Sequence, residues 1–192
     1  MKDRLQVPRE RIDALIRERI DLVPYDPAWP DRYQEEEDHL RGTLPADLVI
    51  RIAHIGSTAV PGLSAKPIID VQVEVHSHER VIDEVVPVLE AEGYEFIWRP
   101  TIGEEAPFYA WFIKRGPDGT RTYHIHMVEP DEASEDRVLF RDHLRTHPAD
   151  VRRYEKLKRT LSEVYPNDRA AYTKGKTDFI ATIVQQARSE HP

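Results

Sequence analysis

Two short strings place acid and base side chains where they would work together. In Asp70-Val71-Gln72-Val73-Glu74 the polar residues occupy every second position, and in His124-Ile125-His126 the two imidazoles do the same. Side chains alternate faces along a strand, so Asp70, Gln72 and Glu74 share one face, and His124 and His126 share one face of another strand. Carboxylates facing imidazoles make a cleft for general acid–base work, or the two-histidine, one-carboxylate set that holds a transition metal. The plain alternative is an antiparallel sheet with one wet face, on which both polar rows are simply solvated.

Cations supply a second kind of chemistry. Residues 137–176 carry 11 Lys/Arg against 5 Asp/Glu, on a chain whose totals are 27 against 35. The net charge of −8 argues against a nucleic-acid binder. The basic segment reads either as a solvated helix face or as a funnel for a small anion such as a phosphate. Tyr172, Phe179, Ile180, Ile183, Val184 and Ala187 form one helical stripe, and Lys176 falls inside it. A buried, unpaired ammonium is costly, so Lys176 either snorkels to the edge or meets an anion. Gly175 beside it costs a helix roughly 1 kcal/mol relative to Ala and marks a close approach. Lys158 stands at the margin of a similar stripe made by Val151, Tyr154, Leu157 and Leu161.

The elements that must position these residues follow from periodicity and punctuation. Helices are predicted over 8–20 and 28–41, strands over 48–55 and 67–75 with a small-residue turn at 56–62 between them, and a helix over 78–91 ending at Gly93. Strands at 94–98 and 108–114 precede the turn Gly116-Pro117-Asp118-Gly119 and a strand over 120–128. Helices follow at 134–146, 149–163 and 168–188. Along 67–75, Ile69, Val71, Val73 and Val75 are the core face. The run Glu35-Glu36-Glu37-Asp38 reads as a solvated face of its helix. This order is α+β, without the steady β-α-β-α alternation of a doubly wound sheet.

The 192 residues suit one domain, read as 22–188, with residues 1–21 as an N-terminal helical extension. The chain has no cysteine, which excludes disulfides, thiolate zinc sites and cysteine nucleophiles. Its charged N-terminus is unlike a secretory signal and no run of 18 apolar residues occurs, so the expectation is a soluble cytoplasmic protein with no membrane partner.

Read as a unit, Ile55-Gly56-Ser57, twelve residues, and Asp70-Val71-Gln72-Val73 resemble the signature of the nucleotidyltransferase superfamily. That signature is an apolar residue, Gly, Gly or Ser, a spacer, then Asp, apolar, Asp or Glu, apolar. The string from His54 through Gly56-Ser57-Thr58-Ala59-Val60-Pro61-Gly62 to Lys66-Pro67-Ile68-Ile69-Asp70 is, more narrowly, similar to the hallmark of the GrpB family. Tyr25-Asp26-Pro27-Ala28-Trp29-Pro30, Phe140-Arg141-Asp142-His143-Leu144-Arg145 and the stretch from Tyr172 through Lys176 to Ile180 extend the resemblance over about 22–188. GrpB-like domains are also appended to some bacterial dephospho-CoA kinases.

The resemblance implies a nucleotidyltransferase-like mixed β-sheet with helices packed on one face and a helical C-terminal region. It also implies a site. Gly56 and Ser57 would hold phosphates, and Asp70, with help from Glu74, would bind Mg²⁺ or Mn²⁺. His124 or His126 would serve as base or metal ligand. Lys66, Arg141, Arg145, Lys158 and Lys176 would neutralise phosphate charge. One departure stands out: Gln72 occupies the place of the second carboxylate, and a neutral amide is a poor Mg²⁺ ligand. Glu74 lies about 7 Å further along the same face. Three readings follow: a metal-dependent nucleotidyltransferase acting on a small molecule, a noncatalytic module binding a nucleotide or CoA-like phosphate, and a His/Asp metal hydrolase.

Overall fold

The computed structural model describes residue 5, residues 7–100 and residues 108–190. Five strands form one mixed sheet in the order β1-β2-β5-β4-β3: β1 is Val49–Ile55, β2 Ile69–Val75, β3 Glu95–Pro100, β4 Phe108–Arg115 and β5 Arg121–Val128. β2 is central. It runs antiparallel to β1 and parallel to β5, while β5–β4 and β4–β3 are antiparallel.

The alternation along β2 sorts its residues as expected. Val71, Val73 and Val75 are fully buried with Ile125, Met127 and Phe112 in one apolar layer. Helix α2 (Trp29–Thr43) covers this layer through Trp29 and Leu40, and Val81, Val85, Val86 and Leu89 cover the rest of the same face. Each such side chain contributes about 1.5–3 kcal/mol by leaving water. The helix predicted over 78–91 is divided into α3 (His78–Arg80), a π-helical turn Val81–Val85 and α4 (Val86–Ala91). Pro87 lacks an N–H, and the wider turn ahead of it removes the need for one.

The helices do not stop at that face. α1 (Arg9–Arg17) lays Leu15, with Val7 before it, against Ile97, Tyr109, Trp111 and Ile113 on the opposite side of the sheet. α5 (Glu132–Thr146) crosses β1 on the same side. The polar row of β2 is therefore enclosed: Gln72 and Glu74 are buried, and so is His124 on β5. The wet-face alternative does not apply. α1 ends earlier than the predicted 8–20, and Ile20 reaches the core on an extended segment whose N–H donates to the Pro166 carbonyl. Of the expected extension 1–21, residues 1–4 and 6 lie outside the described residues.

α6 (Pro148–Val164), α7 (Arg169–Lys174) and α8 (Thr177–Glu190) complete the chain. Phe140, Leu144, Tyr154, Ile183 and Val184 form a second apolar cluster with Val60 and Leu63 of the turn segment. The single helix expected over 168–188 is interrupted at Gly175-Lys176. Gly175 is pressed onto α6, where an added Cβ would stand 2.5 Å from Leu161 Cδ2. No helix among the described residues is long and apolar enough to cross a membrane.

Candidate functional site

The site begins where β1 stops. Ile55 is paired with Asp70 across the β1–β2 ladder, so the turn after it lies beside that carboxylate. Gly56 makes the turn with φ of 71°, and the 3₁₀ segment Ser57–Ala59 follows. Arg141 and Arg145, expected on phosphates, brace this turn from α5. Arg141 Nη1 donates to the His54 carbonyl at 2.8 Å, and Arg145 Nε donates to the Ala59 carbonyl at 2.9 Å. Their positive charge is near the turn, but these hydrogen bonds go to its backbone. His54 stacks on Tyr33 at 4.6 Å and meets Thr58 Oγ1 at 2.9 Å. Burial, helped by the two arginines, pushes its imidazole down to about 4.

Asp70, His124 and His126 are brought together by register, because Asp70 pairs with His124 and Gln72 with His126 across the β2–β5 ladder. The His124 ring has one reading. Arg121 Nη1 stands 3.4 Å from Nε2 and can only donate, so Nε2 accepts. The proton is on Nδ1, which donates to Asp70 Oδ1 at 3.0 Å. Burial pushes the His124 imidazole down to about 3, against the pull of Asp70. Burial alone would raise the Asp70 carboxyl. The hydrogen-bonding contacts from His124 and His126 outweigh it and hold that group well below the usual carboxylate range. A neutral His124 beside an ionised Asp70 is consistent with both shifts. His126 Nε2 lies 3.6 Å from the same Asp70 oxygen, and its Nδ1 meets the Tyr109 hydroxyl at 3.1 Å.

Positive charge gathers next to Asp70. Lys176 stands 4.5 Å from the centre of the Tyr172 ring and Lys66 stands 5.6 Å from it. Burial, then mutual repulsion with Lys176 and Arg169, pushes Lys66 down to about 7. Burial pushes Lys176 down to about 8, and Asp70 resists the shift. Lys158 is pushed down to about 7 by burial and by Lys176. Its ammonium donates to the Ser64 carbonyl and lies 5.0 Å from the Tyr154 ring centre, so it holds the segment leading into Lys66. Ser57 contacts the buried Tyr154 hydroxyl.

Glu74 is not in this group. It is on the expected face, but it forms an ion pair with Arg51 and accepts from Gln72 Nε2 at 3.1 Å. Gln72 is committed as well: Nε2 donates to the Ser134 carbonyl at 3.0 Å, and Oε1 accepts from Arg137 at 3.1 Å. The expected help of Glu74 to Asp70 is thus replaced by a β2–α5 bracket. Sequence reasoning missed Arg121, Arg169 and Glu18. Glu18 receives Arg115 at 2.8 Å and Arg121 at 2.5 Å, and Arg169 approaches it to 3.6 Å. These contacts span about a hundred residues or more, and no local pattern announces them.

As a metal centre, Asp70, His124 and His126 each offer one ligand atom, all within 4.8 Å of one another. A Mg²⁺ or Mn²⁺ ion is often held by one carboxylate plus the phosphates of its substrate, and Asp70 can fill that role. The site does not supply a second carboxylate among the described residues of this group. A later transition ion would draw on imidazole as well, but His124 would first have to give up the Nδ1 proton that it donates to Asp70.

Comparison with known proteins agrees with the string from His54 to Asp70. The model of the GrpB protein family matches residues 19–186. A UPF0157 protein of Pseudomonas aeruginosa is 40% identical over 182 residues, 91% of this chain and 71% of that protein. A dephospho-CoA kinase of Mycolicibacterium paratuberculosis is 28% identical over 193 residues, which is 90% of this chain but 47% of the kinase. The crystal structure of conserved protein GrpB from Enterococcus faecalis is similar at a TM-score of 0.74 and 33% identity, covering 89% of this chain and 99% of that one. With the family model matching residues 19–186 and a solved GrpB structure similar over 89% of its length, this chain belongs to the GrpB family.

Proposed function

We propose that the chain binds a nucleotide, or another small molecule bearing a phosphate chain, across the Gly56-Ser57 turn. The phosphates would lie against Lys66 and Lys176, with Lys158 behind them and Asp70 at their edge. The observation that carries this reading is the pair of lysines flanking Tyr172 within the field of Asp70, both held below the ordinary ammonium range. Lys66, Lys176, Arg121 and Arg169 outnumber Asp70 and Glu18, and a multiply charged anion would restore the balance. The similarity to a dephospho-CoA kinase supports a ligand of the nucleotide class.

The reaction proposed is nucleotidyl transfer. An acceptor hydroxyl attacks the α-phosphorus of an NTP, the bond to the bridging oxygen breaks, and pyrophosphate leaves against the lysines. The acceptor's proton passes to His126, which Asp70 faces at 3.6 Å, while His124, committed to Asp70 and Arg121, orients the carboxylate. A Mg²⁺ or Mn²⁺ ion held by Asp70 with the phosphates would neutralise charge on the transferring group. A second reading, a noncatalytic module for a nucleotide or CoA-like phosphate, is favoured by one observation: Gln72 and Glu74 are engaged with α5 and β1.

The test is a panel of nucleotides with Mg²⁺ or Mn²⁺, scored by thermal shift and by pyrophosphate release. A shift with release supports the transferase, and a shift without release supports the module. Phosphate release that requires Zn²⁺ would point to hydrolysis. No shift with any phosphorylated ligand would end the proposal.

A further inference from the structure

Three arginines from three elements converge on one carboxylate. Glu18, just past α1, accepts from Arg115 of β4 at 2.8 Å, pairs with Arg121 of β5 at 2.5 Å, and has Arg169 of α7 at 3.6 Å. Two of these guanidiniums also hold the main chain around it. Arg121 Nη2 donates to the Leu15 carbonyl at 2.8 Å, and Arg169 donates to the carbonyls of Glu18 at 3.0 Å and Arg19 at 3.1 Å. One carboxylate is too little for this cluster. Arg115 has a second acid in Glu95, but Arg121 and Arg169 pair with no other acid among the described residues. Arg169 Nη1 is cut off from solvent without a hydrogen-bond partner among the described residues, and Arg121 Nε is not aligned to donate to Glu18. Buried donors left unmet in this way are costly.

The cluster adjoins the proposed phosphate site. Arg121 Nη1 stands 3.4 Å from His124 Nε2, and the other nitrogen of that ring meets Asp70 at 3.0 Å. Arg121 and Arg169 both repel the Lys66 ammonium. The segment that carries Glu18 is lightly held. α1 has no buried residue, and it touches the sheet through the partly buried Leu15. The chain is fixed at the buried Ile20, whose N–H donates to the Pro166 carbonyl. Glu18 lies two residues before that anchor, with 27% of its side chain exposed. Its carboxylate can therefore leave the arginines by a swing of the segment ahead of Ile20, at the loss of little apolar contact.

We infer that Arg115, Arg121 and Arg169 form an anion subsite for the terminal phosphate of a phosphate chain, and that Glu18 occupies it in the ligand-free chain as a tethered competitor. The inference rests on the reading of Lys66 and Lys176 as the neighbouring phosphate cradle. A terminal phosphate brings more charge and more acceptor oxygens than a carboxylate, and guanidinium forks match it in geometry. Arg169 Nη1 is a donor that Glu18 leaves unused and that such a group can meet. When the phosphate takes the arginines, Glu18 passes to water and α1 keeps only the packing of Leu15. While Glu18 is docked the subsite is closed, so the apparent affinity for the phosphate chain is lowered in proportion to the docked fraction.

The test is the pyrophosphate affinity of the full chain by calorimetry, with melts of the ligand-free protein. Glu18→Gln keeps the shape of the side chain and removes its charge. It is expected to tighten pyrophosphate by about threefold to tenfold while lowering the ligand-free Tm. Opposite signs mark a competitor, because a side chain that only braced the arginines would lower both. Glu10→Gln, at an exposed position of α1, changes the net charge equally and is expected to leave both unchanged. In the wild-type chain, which needs no variant to fold, pyrophosphate is expected to speed trypsin cleavage after Arg17 and Arg19. Affinity unchanged or weakened in Glu18→Gln would overturn the inference, and so would cleavage slowed by pyrophosphate. Lys176→Ala separates the inference from the reading beneath it. Binding lost in Lys176→Ala, with no gain in Glu18→Gln, removes the competitor alone. A gain from Glu18→Gln that survives Lys176→Ala removes the lysine cradle alone. No binding by either wild type or Glu18→Gln removes both.

Discussion

Gly56 and Asp70 are in such close contact that a Cβ on the glycine would fall 2.6 Å from the carboxylate Oδ2 and 3.2 Å from its Cγ. The Gly56-Ser57 turn and the acidic residue are therefore one unit, joined by the Ile55–Asp70 register. Gly56→Ala is expected to cost about 1–3 kcal/mol, because φ of 71° with ψ of −169° is a conformation essentially confined to glycine. It should also displace Asp70 from His124. Urea unfolding measures the first effect, and loss of nucleotide or pyrophosphate binding in the folded variant measures the second. A variant that keeps both would show that the turn can relax away from Asp70.

The three lysines predict an unusual pH response. Their folded-state values are pushed from an ordinary 10.5 to about 7 for Lys66 and Lys158 and about 8 for Lys176. Between those values and 10.5 the unfolded chain binds more protons than the folded one, so stability of the ligand-free chain should rise with pH across that window. Phosphate binding requires the charged amines and should weaken over the same range. Thermal melts at pH 7 and pH 9, with and without pyrophosphate, check both signs. A pyrophosphate-induced shift as large at pH 9 as at pH 7 would exclude the lysines from the phosphate site.

The sequence announces those structures whose causes are local. Ile69, Val71, Val73 and Val75 mark the buried face of β2 by alternation alone, and Gly56-Ser57 with Asp70 marks the turn. The α5 start comes two residues earlier than predicted because Asp131 and Ser134 form a reciprocal cap, a pattern present in the sequence but not read from it. What was illegible depends on distant partners. Lys176 looked misplaced in its stripe because Lys66 and Asp70 lie more than a hundred residues away. Gln72 looked like a lost metal ligand because nothing near it names Ser134 or Arg137 as its partners. Gly175 signalled a close approach, and only the fold shows that Leu161 is what it approaches.

Glu36 shows the same limit and carries its own prediction. It lies in the run Glu35-Glu36-Glu37-Asp38, expected as a solvated face, yet it is 3% exposed. It accepts from the Tyr94 hydroxyl at 2.5 Å and pairs with Lys114 at 2.6 Å. Burial, with Glu36 beside it, raises the Tyr94 phenol far above its usual range. Glu36→Ala would leave the Tyr94 hydroxyl without its acceptor and Lys114, a third exposed, without its carboxylate, a loss expected to cost about 1–3 kcal/mol. Glu36→Gln keeps the shape and one acceptor, and is expected to cost less. Chemical denaturation of the two variants tests the order. Equal and negligible losses would mean that the pair contributes little to the fold.

Gln72 decides whether the departure from the superfamily signature is a weakened metal site or a structural bracket. From the sequence alone, Gln72→Asp restores a second carboxylate and should tighten Mg²⁺ binding. The structure predicts the opposite outcome. The amide donates to the Ser134 carbonyl and to Glu74 while accepting from Arg137, and it is 1% exposed. An aspartate is shorter, donates nothing, and sets a new negative charge beside Glu74, whose attraction to Arg51 is already in use. Losing those buried donors should cost about 1–3 kcal/mol, read as a lower urea midpoint. Mn²⁺ affinity, measured by calorimetry on the folded variant, should not rise, because the new carboxylate's nearest cation is Arg137 on α5. Gln72→Glu serves as the length-matched control: it can keep the Arg137 contact while losing the same two donors. A Gln72→Asp chain as stable as wild type that also binds Mn²⁺ more tightly would show that Gln72 is a substituted metal ligand and that the bracket to α5 is dispensable.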